Sequence, residues 1–235
     1  MSATGAKQPP SNGFDWRAFD AYLFDIDGTL LNSCDQVHYF AFYHALQDVY
    51  GVQRKIDGVP VHGNTDVGIL RAATALAGIA NGEFERKLPQ ALDRIRAHVA
   101  ENAHELRPAL CPSILRLLTE LHANGKVIGV TTGNLETVGW AKLQAAGIRQ
   151  YFSLGSFSDH NEFRASIFRK GADMARQLTR PDAKVCFLGD TPNDVNAARE
   201  IEMPLIAVAT GKFSVDELSA LGPNLCLSSC DLLWP

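Results

Sequence analysis

The stretch Ala21-Tyr22-Leu23-Phe24-Asp25-Ile26-Asp27-Gly28-Thr29 joins a four-residue apolar run to two acids and a turn. The run reads as a buried strand, and Gly28-Thr29 as the turn that ends it. Carboxylates are rarely buried unless paired or bound to a cation, so two at a strand end need a reason. Residues i and i+2 face the same side of a strand, which lets Asp25 and Asp27 meet one ligand. Held about 4 Å apart at an effective dielectric of 20, their charges repel by roughly 4 kcal/mol. A divalent cation or a proton removes that penalty. Taken alone, the pair reads equally well as two solvated acids at a strand end, because Asp is a common turn residue.

Two downstream segments change that balance. Val185-Cys186-Phe187-Leu188-Gly189-Asp190-Thr191-Pro192-Asn193-Asp194 again carries an apolar run into acids. Asp194 opens a helical stretch, where a carboxylate also caps free amides. Between the two acidic clusters, Val127-Ile128-Gly129-Val130-Thr131-Thr132-Gly133-Asn134 is an apolar run that stops at small polar groups. Three buried strands thus end in residues suited to a metal or a phosphate. Ligands of open α/β sheets gather outside the carboxyl ends of the strands, and this coincidence is the main sign of an active site.

In these motifs the chain resembles the haloacid dehalogenase superfamily of phosphoryl-transfer enzymes. Asp25-Ile26-Asp27-Gly28-Thr29 matches its first motif, Thr132 its second, and Gly189-Asp190 with Asp194 its fourth. The likeness runs over about residues 22–211, and the order and spacing of several separate motifs make it specific. Gly63-Asn64-Thr65-Asp66, early in the segment after the first motif, is similar to the phosphoglycolate-phosphatase-like branch. One departure stands out. The family places a lysine before the helix that precedes the fourth motif, whereas this chain has Arg164 at about the right distance and Lys170 more than a turn too late.

The resemblance implies roles. Asp25 attacks phosphorus and forms an aspartyl-phosphate, splitting one displacement into two. Asp27 protonates the leaving oxygen and then takes a proton from water. The implied cation is Mg²⁺, held by Asp25, the Asp27 backbone carbonyl and Asp190, and hard oxygen ligands suit it. Asp194 is a further candidate ligand, with the stronger expectation that it orients Asp190 or a metal-bound water. Thr132 donates its hydroxyl to a phosphoryl oxygen, aided by the amides of Gly133 and Asn134 at the next helix's amino end. Thr131 is an equal chemical candidate, pointing the opposite way along the strand, and it is the family's pattern that favours Thr132. Arg164 is assigned to bridge Asp25 and the phosphoryl group, a planar donor fork that does not simply replace a lysine. His62, Asn64, Thr65 and Arg71 are the candidate readers of the leaving group.

The organisation follows from alternating patterns. Residues 36–50, 66–77 and 83–105 carry apolar residues at helical intervals and form an expected helical cap over 32–106. Residues 20–31 and 107–235 form a Rossmann-like core with a doubly wound parallel sheet, its last strand at 205–209. Residues 1–19 read as a flexible arm. With 235 residues there is room for both units, and a net charge of −4 gives no global field toward nucleic acid or anionic lipid. No apolar stretch approaches the ~20 residues of a membrane span, and residues 1–12 lack a secretory signal's apolar core. The five cysteines are scattered, an odd number that argues against a disulfide framework. Cys226 and Cys230 are a candidate redox or metal pair without a neighbouring His or Cys.

The sequence therefore points to a cytoplasmic phosphatase of small phosphorylated metabolites, a monomer or weak homodimer. The rival readings are a sugar-phosphate mutase on the same scaffold and a non-catalytic phosphate-binding regulatory module. A dehalogenase fits less well, because a halide needs no leaving-group acid at Asp27.

Overall fold

The computed structural model describes residues 13–234 apart from 54, 55 and 57. Six strands form one parallel sheet in the order β5-β4-β1-β6-β7-β8. They are β1 (Ala21–Phe24), β4 (Val127–Thr131), β5 (Leu154–Ser156), β6 (Val185–Gly189), β7 (Leu205–Val208) and β8 (Leu225–Leu227). Strand alternation divides β1 between two layers. Tyr22 and Phe24 pack on one face with Leu117, Leu118 and Leu121 of α4 (Ile114–Ala123). Ala21 and Leu23 pack on the other with Phe168 of α6 (Arg164–Leu178), whose ring stacks on Phe187 at 4.3 Å. Both faces are covered, which is why the strands read as continuous apolar runs.

The expected last strand is not the edge. β8 lies beyond β7, and its three residues Leu225-Cys226-Leu227 are too short to stand out as a pattern. A second correction concerns the start of the chain. Residues 1–12 lie outside the described residues; within 13–19, Trp16 is buried and Phe14 and Phe19 pack partly buried against the core, while Gly13, Asp15, Arg17 and Ala18 are exposed. Trp16 is 4% exposed, donates its Nε1–H to the Leu233 carbonyl at 3.1 Å and meets Trp234 edge to face. Tyr22 donates its hydroxyl to the Trp16 carbonyl at 2.5 Å. Trp16→Ala is expected to lower unfolding free energy in urea by about 3–5 kcal/mol, the usual cost of emptying a buried aromatic site.

After β1 the chain enters a short antiparallel pair, β2 (Leu31–Ser33) with β3 (Pro108–Leu110). These two strands bracket the helical insertion of α1 (Val37–Tyr50), α2 (Asp66–Leu76) and α3 (Asn81–Glu101). The insertion has its own apolar centre, including Phe42, Leu46, Leu70, Phe84 and Ile95. Leu135 and Val138 join that centre from the core side, Val138 on α5 (Glu136–Ala145), so the insertion is seated on α5.

The path of the sheet creates the crevice. From β1 the chain runs outward through β4 and β5, then returns to the opposite side of β1 for β6, β7 and β8. Such a reversal opens a gap at the carboxyl ends of the strands. In register, Phe24 lies beside Val130 on one flank and Leu188 on the other. The next residues on all three strands therefore emerge together at one rim, below the insertion.

Candidate active site

Asp25 follows β1 directly and donates its amide to the Leu188 carbonyl at 2.9 Å, which ties it to β6. Asp190 follows β6, and Asp194 sits in the first turn of α7 (Pro192–Glu200). Oxygens of Asp25, Asp190 and Asp194 lie within 4.8 Å of one another, and all three residues are buried. Gly28 holds φ at +87°, and a side chain there would collide with the Asp190 carboxylate, so the turn needs glycine for both reasons.

One guanidinium contacts two of these three acids. Arg164, the first residue of α6, places Nη2 2.7 Å from Asp25 Oδ1 and 2.5 Å from Asp194 Oδ1, with Nε 2.9 Å from the latter. Asp194's other oxygen accepts from the Thr191 amide at 3.1 Å and the Thr191 hydroxyl at 2.6 Å. Both Asp194 oxygens are thus engaged, which favours an orienting part over direct ligation. Asp190 has the Thr29 hydroxyl at 3.0 Å. Burial pushes its carboxyl up to about 9, and the charges of Asp25 and Asp194 add to the rise. Burial likewise raises Asp25, to about 6, against the pull of Arg164. Three buried acids facing one cation, with two of them strained toward protonation, are suited to a hard divalent cation held by Asp25 and Asp190. Lys170, by contrast, is exposed on α6.

Asp27 has a different setting. Its side chain is 42% exposed and lines the cavity between sheet and insertion. Lys142 of α5 donates to both of its oxygens, at 2.8 and 2.7 Å, and Asn134 Nδ2 donates to Oδ2 at 2.8 Å. Enclosure pushes the Asp27 carboxyl up, but the Lys142 ammonium and the Asn134 amide more than reverse this, leaving it below its ordinary value. Lys142 was not among the residues singled out from the sequence. A lone lysine in a helical stretch reads as solvated, and only the packing of α5 between core and insertion buries it.

Thr132 follows β4 and is fully buried at the cavity wall. Its Oγ1 accepts from Asn134 Nδ2 at 2.8 Å and from the Asn134 amide at 3.3 Å. The helix begins at Glu136 with Leu135 at its amino cap, so Gly133 and Asn134 lie just ahead of its first turn. Its exposed donors are already taken: Asp66 Oδ2 caps the Leu135 amide at 2.9 Å and Asp159 Oδ2 the Glu136 amide at 2.7 Å. Gly133 and Asn134 line the cavity, but the helix dipole end itself is occupied by carboxylates.

The four candidate readers divide. His62 and Asn64 line the cavity, whereas Thr65 and Arg71 do not. Thr65 caps α2, accepting from the Gly68 amide at 3.1 Å, and donates to the Glu162 carbonyl at 3.1 Å. Arg71 is drawn away by Glu162 at 2.7 Å and Glu85 at 2.9 Å, so it latches the insertion to the loop before α6. Arg96 of α3 makes a second such latch to Asp159 at 2.8 Å. The cavity of about 350 Å³ has Asp25, Asp27 and Asp190 at its floor and Tyr39, Phe42 and Ile69 of the insertion among its walls. That volume suits a small ligand.

The haloacid dehalogenase-like hydrolase family matches residues 22–208. Phosphoglycolate phosphatase of Synechococcus elongatus is 27% identical over 217 residues, covering 91% of this chain and 95% of that protein. Phosphoglycolate phosphatase of Salmonella typhimurium is 25% identical over 233 residues, covering 90% of each. Among solved structures, CbbY from Rhodobacter sphaeroides in complex with phosphate shares the fold. Its TM-score is 0.65 at 20% identity, over 92% of this chain and 95% of that one. Matching motifs, a parallel sheet with its acids at one rim and a family match across most of the sequence agree: the chain belongs to the haloacid dehalogenase-like hydrolases.

Proposed function

We propose that this hydrolase is a Mg²⁺-dependent phosphatase of small phosphomonoesters that works through an aspartyl-phosphate on Asp25. The observation that carries the reading is the meeting of Asp25, Asp27, Thr132, Arg164 and Asp190 on one cavity roofed by the helical insertion. A bound Mg²⁺ supplies neutralising charge at a phosphoryl oxygen. In the first step a bond forms from Asp25 oxygen to phosphorus and the ester P–O bond breaks; Asp27, an ionised carboxylate in the free protein, takes up a proton when the substrate's negative charge arrives beside it and gives that proton to the departing oxygen. In the second step water attacks phosphorus, Asp27 takes its proton, and Asp25 is released as carboxylate. Arg164 holds Asp25 in line by one oxygen, and the Thr132 hydroxyl, which already accepts from Asn134, keeps its own hydrogen for a phosphoryl oxygen.

The names of the relatives make 2-phosphoglycolate the first natural monoester to test. All five cysteines are free, with Cys230 buried, which supports a reducing, cytoplasmic setting rather than a disulfide or metal role for Cys226 and Cys230. No helix among the described residues is long and apolar enough to cross a membrane. The test is hydrolysis of p-nitrophenyl phosphate and 2-phosphoglycolate with Mg²⁺ and after chelation. Chelation is expected to lower the rate on the order of 100-fold or more, reversibly, since the ion's charge is worth several kcal/mol at the transition state. A rate indifferent to chelation and metal return contradicts the reading.

A further inference from the structure

Lys142 is 2% exposed, and lysine is almost never so buried unless it is paired. Its ammonium has three hydrogens and meets three acceptors: Asp27 Oδ1 at 2.8 Å, Asp27 Oδ2 at 2.7 Å and Asn134 Oδ1 at 2.9 Å. If its task were only to fill space between core and insertion, an apolar side chain would do so without desolvating a charge. An ammonium can only donate, so the Asn134 oxygen must be the atom that faces it. That choice turns Asn134 Nδ2 toward Asp27 Oδ2 and Thr132 Oγ1, each at 2.8 Å. Lys142 thereby fixes the Asp27 carboxyl directly and, through Asn134, a second time. Asp27 receives three N–H bonds from one side while its half-exposed edge faces the cavity.

We infer that Lys142 is a positioning residue for leaving-group protonation, clamping the Asp27 carboxyl and the Asn134 amide in one orientation toward the departing oxygen. The inference rests on the phosphatase reading above. It assigns a task to α5, ten residues beyond Thr132 and outside the motifs that carry the family resemblance.

The test exploits leaving groups. p-Nitrophenolate departs without a proton, whereas an alkoxide needs one. Lys142→Met is expected to lower kcat/KM about 100-fold for an alkyl phosphomonoester and at least about tenfold less for p-nitrophenyl phosphate. The alkyl probe is 2-phosphoglycolate or glycerol 2-phosphate, whichever the wild type cleaves faster. Equal losses for alkyl and aryl esters overturn the inference, because a general packing defect does not sort substrates by leaving group. If the single variant fails to fold, Asp27→Asn combined with Lys142→Met decides, since it removes both partners and leaves no unpaired buried charge. Its kcat/KM for the alkyl ester is expected within about threefold of Asp27→Asn alone, because groups acting as a unit are non-additive. A further loss of tenfold or more means that Lys142 acts apart from Asp27. Cleavage of the aryl ester alone by the wild type overturns the inference but spares the phosphatase reading; cleavage of neither class by the wild type removes that reading instead.

Discussion

Asp25→Asn is expected to lower kcat for phosphomonoester hydrolysis by roughly 10⁴-fold or more, the scale seen when a covalent nucleophile is lost. An amide cannot form the phosphorylated intermediate, and among the described residues no other acid at the rim is placed to replace it. Asp27 is turned into the grip of Lys142 and Asn134, Asp194 has both oxygens engaged, and Asp190 accepts from Thr29. The loss should not come from unfolding. Asparagine has the same shape, is not repelled by Asp190 and Asp194, and leaves Arg164 paired with Asp194. Purified variant and wild type compared by steady-state kinetics and circular dichroism check both halves. A variant with an unaltered spectrum and more than a tenth of the wild-type kcat sinks the mechanism.

The second large effect is at Asp190, where catalysis and stability part company. Asp190→Asn should cost on the order of 10³-fold in metal-dependent rate, because it removes a buried acid suited to the cation. It should also abolish the rise in melting temperature that Mg²⁺ gives the wild type. At a metal concentration of about 100 Kd that rise corresponds to about 2.7 kcal/mol, or roughly 5–10 °C for a chain of this size. Without metal the order inverts. Asp190's carboxyl is pushed from 3.8 to about 9 on folding, so the native state binds more protons than the unfolded chain across that window. Stability contributed by this proton is complete below about 4 and is lost as pH rises toward 9. The metal-free wild type should therefore weaken over that range, while Asp190→Asn shows a flatter profile and a higher melting temperature at its alkaline end. Identical profiles for the two proteins, with and without Mg²⁺, would contradict the proposed metal site.

The parts legible in the sequence are those whose physics is local. A strand buried on both faces has to be apolar without interruption, so Tyr22-Leu23-Phe24, Ile128-Gly129-Val130 and Cys186-Phe187-Leu188 declare themselves, as do the acids and small polar groups that follow them, with the family's pattern choosing Thr132 over Thr131. Arg164 was reached through the family resemblance, at the position where the family places a lysine, and the structure sets it against Asp25 and Asp194. What escaped depends on distant parts of the chain. Trp16 is buried because Leu233 and Trp234 come back to cover it. Lys142 is buried because the insertion closes over α5 from one side and Asp27 meets it from the other. Arg71 looks like an anion reader until Glu85 and Glu162 are found around it, and Thr65 until it is found capping α2. The amino end of α5 shows the same limit: which acids cap it is decided by Asp66 and Asp159, 69 and 23 residues away from the amides that they hold.

The covalent step can be caught directly. Wild-type protein mixed with a phosphomonoester and Mg²⁺, acid-quenched in the first turnover and treated with borohydride, converts any aspartyl-phosphate to homoserine. Peptide mass mapping should then find homoserine at position 25 and leave 27, 190 and 194 as aspartate. Turnover with no reducible acyl phosphate, or with the modified residue anywhere other than 25, would contradict the account.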